Sequence, residues 1–252
     1  MPQPINETCP WSGKPVAQDS LTCWNGQVVG FCNPGCRDKF DAATAHFTAA
    51  AAASPRPPTL LDMASARPQP AALSETVLVV IDAQEEYRSG RLPLEGIAAA
   101  SERLAGLLER ARAAGTPVIH VAHRGSAGGL FDRGAAGGGF LEAAMPATGE
   151  AVVEKALPNA FAGTDLQARI AATGRRKLLL AGFMTHLCVS STARAALDLG
   201  LPVTVAGDAT ATRALPDPMG GPPLPAEWLQ RTALAALADR FAVVVPAEAV
   251  PA

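Results

Sequence analysis

"TVLVVID", residues 76–82, is a run of six apolar or β-branched residues closed by a carboxylate. It is too short for a typical buried helix, and its Val and Ile content favours extended backbone. With no polar residue alternating along it, it reads as a strand covered on both faces, as in the centre of a parallel sheet. Asp82 then stands where that strand ends.

The pattern outward from this strand alternates. Residues 92–115 place Leu94, Ile97, Leu104, Leu108 and Ala111 at helical spacing, with Gly115 as a stop. "TPVIHVAH" (116–123) is a second strand. "GGLFDRGAAGGGF" (128–140) is a glycine-rich loop; it lacks the G-x-x-x-x-G-K-[ST] pattern of a phosphate cradle and is expected to act as mobile cover. "EAVVEKA" (150–156) is a weaker strand and "TDLQARIAATG" (164–174) a helix with Thr164 as N-cap. Strand "KLLLAG" (177–182), helix "HLCVSSTARAALDLG" (186–200), strand "LPVTVAGDA" (201–209), helix "PAEWLQRTALAALADR" (225–240) and strand "FAVVVP" (241–246) follow. Strands alternating with helices predict an α/β fold, three-layer α/β/α around a mainly parallel sheet, with chemistry beyond the carboxyl ends of the strands.

Composition sets bounds. The 252 residues are 48% hydrophobic but only 5% aromatic, so the core is aliphatic. A net charge of -2 without a basic stripe argues against nucleic acid as a partner. No apolar run is long enough for a bilayer, and the N-terminus lacks a charged start followed by an apolar stretch, so neither a membrane nor a secretory leader is expected. A cytoplasmic, reducing location follows, in which clustered cysteines bind metal more often than they form disulfides. The chain divides into a cysteine-rich segment (1–47), an Ala/Pro-rich linker (48–73) and the α/β region (74–252). The linker composition predicts a frayed helix end followed by an extended tether.

Three polar residues sit at strand ends: Asp82, Lys155 and Cys188. On neighbouring parallel strands they converge on one rim. There a helix N-terminus and the Lys155 ammonium are expected to lower the Cys188 pKa. Asp82 is placed to take the thiol proton and return it to a leaving amine, and backbone N–H groups around Thr185 and Cys188 to hold an oxyanion.

The segments "LVVIDAQEEY" (78–87), "EKALPNAFAGTDL" (154–166) and "LAGFMTHLCVSSTARAALDLG" (180–200) resemble the signature segments of the isochorismatase-like cysteine hydrolases, with Gly182, Thr185 and Cys188 in the family's G-x-x-T-x-x-C arrangement. The resemblance implies an Asp82–Lys155–Cys188 triad and a cis peptide before the cysteine helix, expected at Met184–Thr185. It also implies that Gln84, Tyr87, Phe161 and Thr164 line or brace the pocket. His120 and His123 stand where some relatives hold a metal. Residues three apart on a strand face opposite ways, so the pair is a poor chelate; no cofactor is expected for catalysis, and His123 at the strand end is left as a substrate contact.

In the head, Cys9, Cys32 and Cys36 are spaced C-x22-C-x3-C, within "CPWSGKPV" and "GQVVGFCNPGCRDKF". This resembles small YHS/TRASH-type metal-binding modules. So short a segment buries little surface, and a metal supplies folding energy. A structural Zn²⁺ is the first expectation, with Cu⁺ also suited to thiolates. Cys23 and His46 are the candidate fourth ligands, and Ser12 stands where many relatives carry a second cysteine.

The functional expectation is a cysteine-dependent hydrolase that cleaves a C–N bond of a small amide, carbamoyl or ureido substrate through a thioester, working as a homo-oligomer. The alternatives are a vinyl-ether hydrolase of the isochorismatase type, or a metal-binding or metal-sensing protein with the α/β region as scaffold.

Overall fold

The computed structural model describes residues 3–24, 26–52 and 56–252. Two compact units form, residues 1–57 and 58–252. The division falls inside the segment expected as a linker. Its first part is helix, in keeping with the expected helix end, because the Ala-rich run at 49–52 continues the helix that starts at Pro34. Its later part belongs to the second unit.

In the first unit, β1 (Leu21–Trp24) and β2 (Gln27–Gly30) form an antiparallel hairpin followed by α1 (Pro34–Ala52). The buried apolar cluster among its described residues is Cys9, Val29 and Phe31, with Cys32, Cys36 and Phe40 packed against it. Half of this cluster is thiol.

The second unit opens with α2 (Leu60–Met63), a single turn closed by a Thr59–Asp62 capping box. Six strands follow: β3 (Thr76–Ile81), β4 (Val118–His123), β5 (Ala151–Lys155), β6 (Lys177–Phe183), β7 (Val203–Ala211) and β8 (Val243–Val245). The helices between them are α3 (Ile97–Ala113), α4 (Leu166–Ala172), α5 (Ser190–Asp198) and α6 (Ala226–Arg240). The strands are all parallel, in the order β5-β4-β3-β6-β7-β8. Every residue of β3 is buried. Its alternation assigns the layers: Leu78 and Val80 pack with α3, while Val77, Val79 and Ile81 pack with α4, α5 and α6. The three-layer α/β/α architecture with a parallel sheet is therefore as the sequence indicates. Among the described residues no helix is long and apolar enough to cross a membrane.

Three local differences matter. α3 begins at Ile97 rather than near residue 92, because Gly96 takes a left-handed conformation that a helix does not continue through. Cys188 lies inside a π-helical turn, Thr185–Val189, that precedes α5. β6 runs one residue further than expected, to Phe183, so the cis peptide is Phe183–Met184 and not Met184–Thr185. The chain leaves the sheet directly after its last paired residue.

Chain order places β4 and β5 outward on one side of β3, and β6, β7 and β8 on the other. The order reverses between β3 and β6, the position at which open parallel sheets bind ligands. Gly182 is what allows these two strands to close together. Its φ is +107°, and a Cβ there would lie 2.0 Å from the Ile81 carbonyl oxygen. Gly182→Ala therefore destabilises the fold by about 3 kcal/mol or more. Urea unfolding measures this, and a variant within about 0.5 kcal/mol of the parent contradicts the close approach.

Candidate active site and thiol cluster

At the carboxyl rim Ile81 pairs with both Val121 and Gly182, and His123 pairs with Lys155. Asp82 follows β3 with φ +47°, a left-handed conformation uncommon for a residue with a side chain. Its N–H still donates to the Val121 carbonyl (2.8 Å), so the chain bends only after the last sheet bond.

These placements bring the three sequence-predicted groups together. Lys155 Nζ lies 2.6 Å from Asp82 Oδ2 and 3.3 Å from Cys188 Sγ. It also lies 3.4 Å from His123 Nδ1. An ammonium has three N–H donors, and three acceptors surround this one. Relative exposure is 0% for Asp82, 2% for Lys155 and 3% for Cys188. His123 is half buried beside Lys155, so it is the outermost member of the cluster.

Burial pushes the Asp82 carboxyl above its ordinary value, although Lys155 opposes that shift. The Cys188 thiol is pushed up to about 12, first by burial and then by the Asp82 charge, against the pull of Lys155. The expectation of a lowered thiol pKa is thus overturned: one ammonium cannot offset both desolvation and a neighbouring carboxylate. The resting site reads as carboxylate, ammonium and neutral thiol. His123 is held below the usual imidazole range by burial and by Lys155.

Most of the remaining expected pocket residues are braces. Gln84 is fully buried; its amide N–H₂ donates to the carbonyls of His123 and Gly138 (3.0 Å each), and its Oε1 accepts from the His123 N–H (2.8 Å). Both amide protons and the oxygen bond backbone, so it braces the β4 end against the glycine-rich loop. Tyr87 packs between Phe131 and Phe183, with ring centroids at 5.0 and 6.0 Å. Phe161 is half buried against the same apolar cluster that holds Cys188. The Thr164 hydroxyl donates to the Ala160 carbonyl (2.6 Å) and accepts from the Leu166 N–H (3.3 Å), but the N-cap residue of α4 is Asp165. Met184 is buried, and the Thr185 hydroxyl donates to the Ala211 carbonyl (3.0 Å). His120 turns to the opposite face from His123 and meets Glu150 at 2.8 Å, so the two histidines do not chelate.

Two residues escaped sequence reasoning. Glu86 is a buried carboxylate that accepts from the backbone N–H groups of Arg91 (2.7 Å) and Phe131 (3.3 Å). It pins the glycine-rich loop, whose Phe131 ring lies over His123 at 5.2 Å. That loop is held at named points rather than left as a loose cover. The signal was available: an acidic pair, Glu85–Glu86, three and four residues after the strand-end Asp82. Arg213, just past β7, sets its charge against both Tyr87 and His186. Nothing in the sequence separates it from any other loop arginine.

In the head, the sulfurs of Cys9, Cys32 and Cys36 all lie within 4.8 Å of one another, with Cys32 and Cys36 at 3.9 Å. Neither expected fourth ligand joins them. Cys23 is exposed on the hairpin, and His46 is ten residues beyond Cys36 on α1, about 15 Å along the axis at 1.5 Å per residue. The Ser12 hydroxyl instead donates to Cys32 Sγ at 3.0 Å. Burial works against ionisation of Cys9, but donors from the Cys32 backbone, the Ser12 hydroxyl and the Trp11 and Ser12 backbones bring its thiol down to about 6.

The comparisons with known proteins agree with this geometry. Residues 76–249 match the Isochorismatase domain. A secreted isochorismatase effector of Verticillium dahliae is 40% identical over 179 residues, covering 71% of this chain and 91% of that protein. A maleamate amidohydrolase of Pseudomonas putida is 32% identical over 153 residues, covering 54% of this chain and 72% of that one. The crystal structure of an isochorismatase from Pseudomonas putida KT2440 superposes with a TM-score of 0.74 at 40% identity, covering 77% of this chain and all of the other.

A neutral buried thiol alkylates slowly. At pH 7 iodoacetamide should modify Cys188 at less than about a tenth of the rate of exposed Cys23, and the Cys188 rate should climb steadily between pH 8 and 11. Peptide mass mapping measures both, and a Cys188 rate already at plateau at pH 7 contradicts the raised pKa. The chain belongs to the isochorismatase family and is a hydrolase of that family.

Proposed function

We propose that this chain hydrolyses a C–N bond of a small amide, carbamoyl or ureido substrate through a thioester on Cys188. The observation that carries this reading is Lys155, whose ammonium touches both Asp82 (2.6 Å) and Cys188 (3.3 Å) at the reversal point of the sheet. The name of the amidohydrolase relative points the same way.

In the proposed sequence Asp82 accepts the thiol proton as Cys188 Sγ attacks the carbonyl carbon. The raised pKa of Asp82 suits a base that must take a proton from a sulfur. The backbone N–H groups of Thr185 and Cys188 hold the oxyanion, and Lys155 balances the negative charge as it passes from carboxylate to sulfur to oxygen. Asp82 then gives its proton to the leaving nitrogen, and ammonia or an amine departs. Water attacks the thioester while Asp82 takes a water proton; the acid leaves and the thiol is restored. The site needs no cofactor for these steps.

Cys188→Ala should lower kcat by about three orders of magnitude or more, and parent enzyme quenched during turnover should carry an acyl mass on the Cys188 peptide. An ammonia-release screen over simple amides, carbamoylated amino acids and ureido acids is the assay. Full turnover in the alanine variant ends the proposal. The vinyl-ether reading is favoured by one observation, the name of the 40%-identical effector. Pyruvate release from isochorismate without ammonia release from any amide would select it.

We infer further that the head holds one thiophilic metal ion on Cys9, Cys32 and Cys36, with Zn²⁺ the first expectation. Three sulfurs gathered in a core of few other apolar groups support this. Five free thiols suit the reducing, cytoplasmic location included in this reading, which also takes the chain to work as a homo-oligomer.

A further inference from the structure

We propose that residues 59–71 strap a ligand site onto the second unit, at the rim of the sheet opposite Cys188, and that this site takes a small amphipathic carboxylate, an apolar body with one anionic head. The site is independent of the hydrolase reading.

The strap follows from its own sequence, "TLLDMASARPQPA". α2 ends at Met63, and Ser65 then takes a left-handed conformation (φ +54°). The Ala66 N–H donates to the Leu61 carbonyl (2.9 Å), so the chain is turned out of the helix. Pro68 and Pro70 follow. Each fixes φ and lacks an N–H, and residues 66–72 accordingly join neither a helix nor the sheet. Two bonds tie the strap to the body near its ends. The Leu60 N–H donates to Asp239 Oδ1 in the last turn of α6 (2.8 Å), and the Ala71 N–H to Thr204 Oγ1 on β7 (3.3 Å). Between these ties the N–H groups of residues 63–66 all donate within the strap. It therefore spans a hollow instead of packing into it.

The hollow has a volume of about 650 Å³, a size typical of small-molecule sites. It lies at the amino ends of β6, β7 and β8, so its occupant is out of reach of Cys188 and is bound rather than cleaved. Leu61, Leu197, Leu201, Phe241 and Val243 form the apolar wall. All but Leu201 are only half buried, which leaves apolar surface for a ligand to cover. The Arg194 guanidinium lies 4.1 Å from the Phe241 ring centroid and fixes that part of the wall in advance. Charge selects the head group. Among the described residues no carboxylate lines the hollow, whereas Arg67, Lys177 and Arg240 do. Lys177 is already paired with Glu75 (2.7 Å). Arg67 and Arg240 are exposed and have no ion-pair partner among the described residues. Arg240 alone would be explained as a cation at a helix C-terminus, but Arg67 stands on the strap, beyond the end of α2, and has no such role. Two free guanidiniums beside an acid-free apolar wall complement one carboxylate with an apolar tail. A second copy of the chain fits less well, because the strap interrupts the continuous face of about 800 Å² per partner that a stable interface needs.

The probe is 4-phenylbutyrate, titrated into the full-length protein by ligand-observed NMR, with 4-phenylbutan-1-ol and 4-phenylbutylamine as its neutral and cationic counterparts. The acid should bind with a Kd of about 1 mM or tighter, and the alcohol and the amine about 10-fold more weakly. Arg67→Gln combined with Arg240→Gln should bring the acid down to the affinity of the alcohol; both arginines are exposed, so the fold survives their loss. Leu61→Asp should weaken acid and alcohol alike, with circular dichroism as the check on folding. Protein alkylated at Cys188 should bind the acid within about 2-fold of the parent. Equal binding of acid, alcohol and amine overturns the proposal, as does acid binding that survives loss of both arginines. Binding abolished by alkylation of Cys188 moves the probe to the catalytic rim and overturns it too. No binding at about 5 mM acid, a concentration well above the expected Kd, ends it outright. Should the acid fail to bind while the arginine double variant changes the oligomeric state in sedimentation, the hollow is an interface between copies and the carboxylate assignment falls.

Discussion

A carboxylate and an ammonium meet at 2.6 Å with both side chains removed from solvent, and the hydrolase unit is organised around making that contact tolerable. Neither Asp82 nor Lys155 could be buried alone, since an unpaired charge in an apolar core costs several kcal/mol. Their pairing requires β3 and β5 to end at the same rim, with β4 between them in register, as His123 opposite Lys155 does. It also dictates the state of the sulfur. With one positive and one negative charge already present, a thiolate would add an uncompensated second anion. Cys188 is therefore held as a thiol, and its ionisation is coupled to the charge state of the carboxylate beside it.

The strands were legible because each is a short apolar run bounded by turn residues, and the cluster because Asp82 and Lys155 stand at strand ends and Cys188 in the turn that follows β6. What failed were quantities set by three-dimensional neighbours. The Cys188 pKa runs opposite to expectation because a sequence shows the nearby cation but not the depth of burial. The cis bond lay one residue away because Phe183 still pairs with Ala211, and sheet pairing is not written in local composition. For Gln84 the sequence left lining and bracing open, and the bonds of its amide to the backbone of two separate segments show the bracing.

The head illustrates the opposite balance. Its three-cysteine spacing brought Cys9, Cys32 and Cys36 together as read, yet both proposed fourth ligands were wrong. Spacing along a chain predicts proximity within a turn or a hairpin. It says little about which face of a strand Cys23 takes, and His46 is removed simply by helical rise. The serine set aside as a departure from the pattern is the side chain that reaches the cluster.

Glu86 ties the glycine-rich loop to the short segment that also carries Asp82, four residues earlier. A Cβ on Gly137 would come within 2.3 Å of that carboxylate, and one on Gly138 within 2.0 Å of the Asp132 carbonyl. Gly137 and Gly138 are thus spacing elements, one against the buried Glu86 and the other against the Asp132 carbonyl. A loop of equal length with a larger residue at 137 would push on Glu86 and, through it, on the segment that carries Asp82.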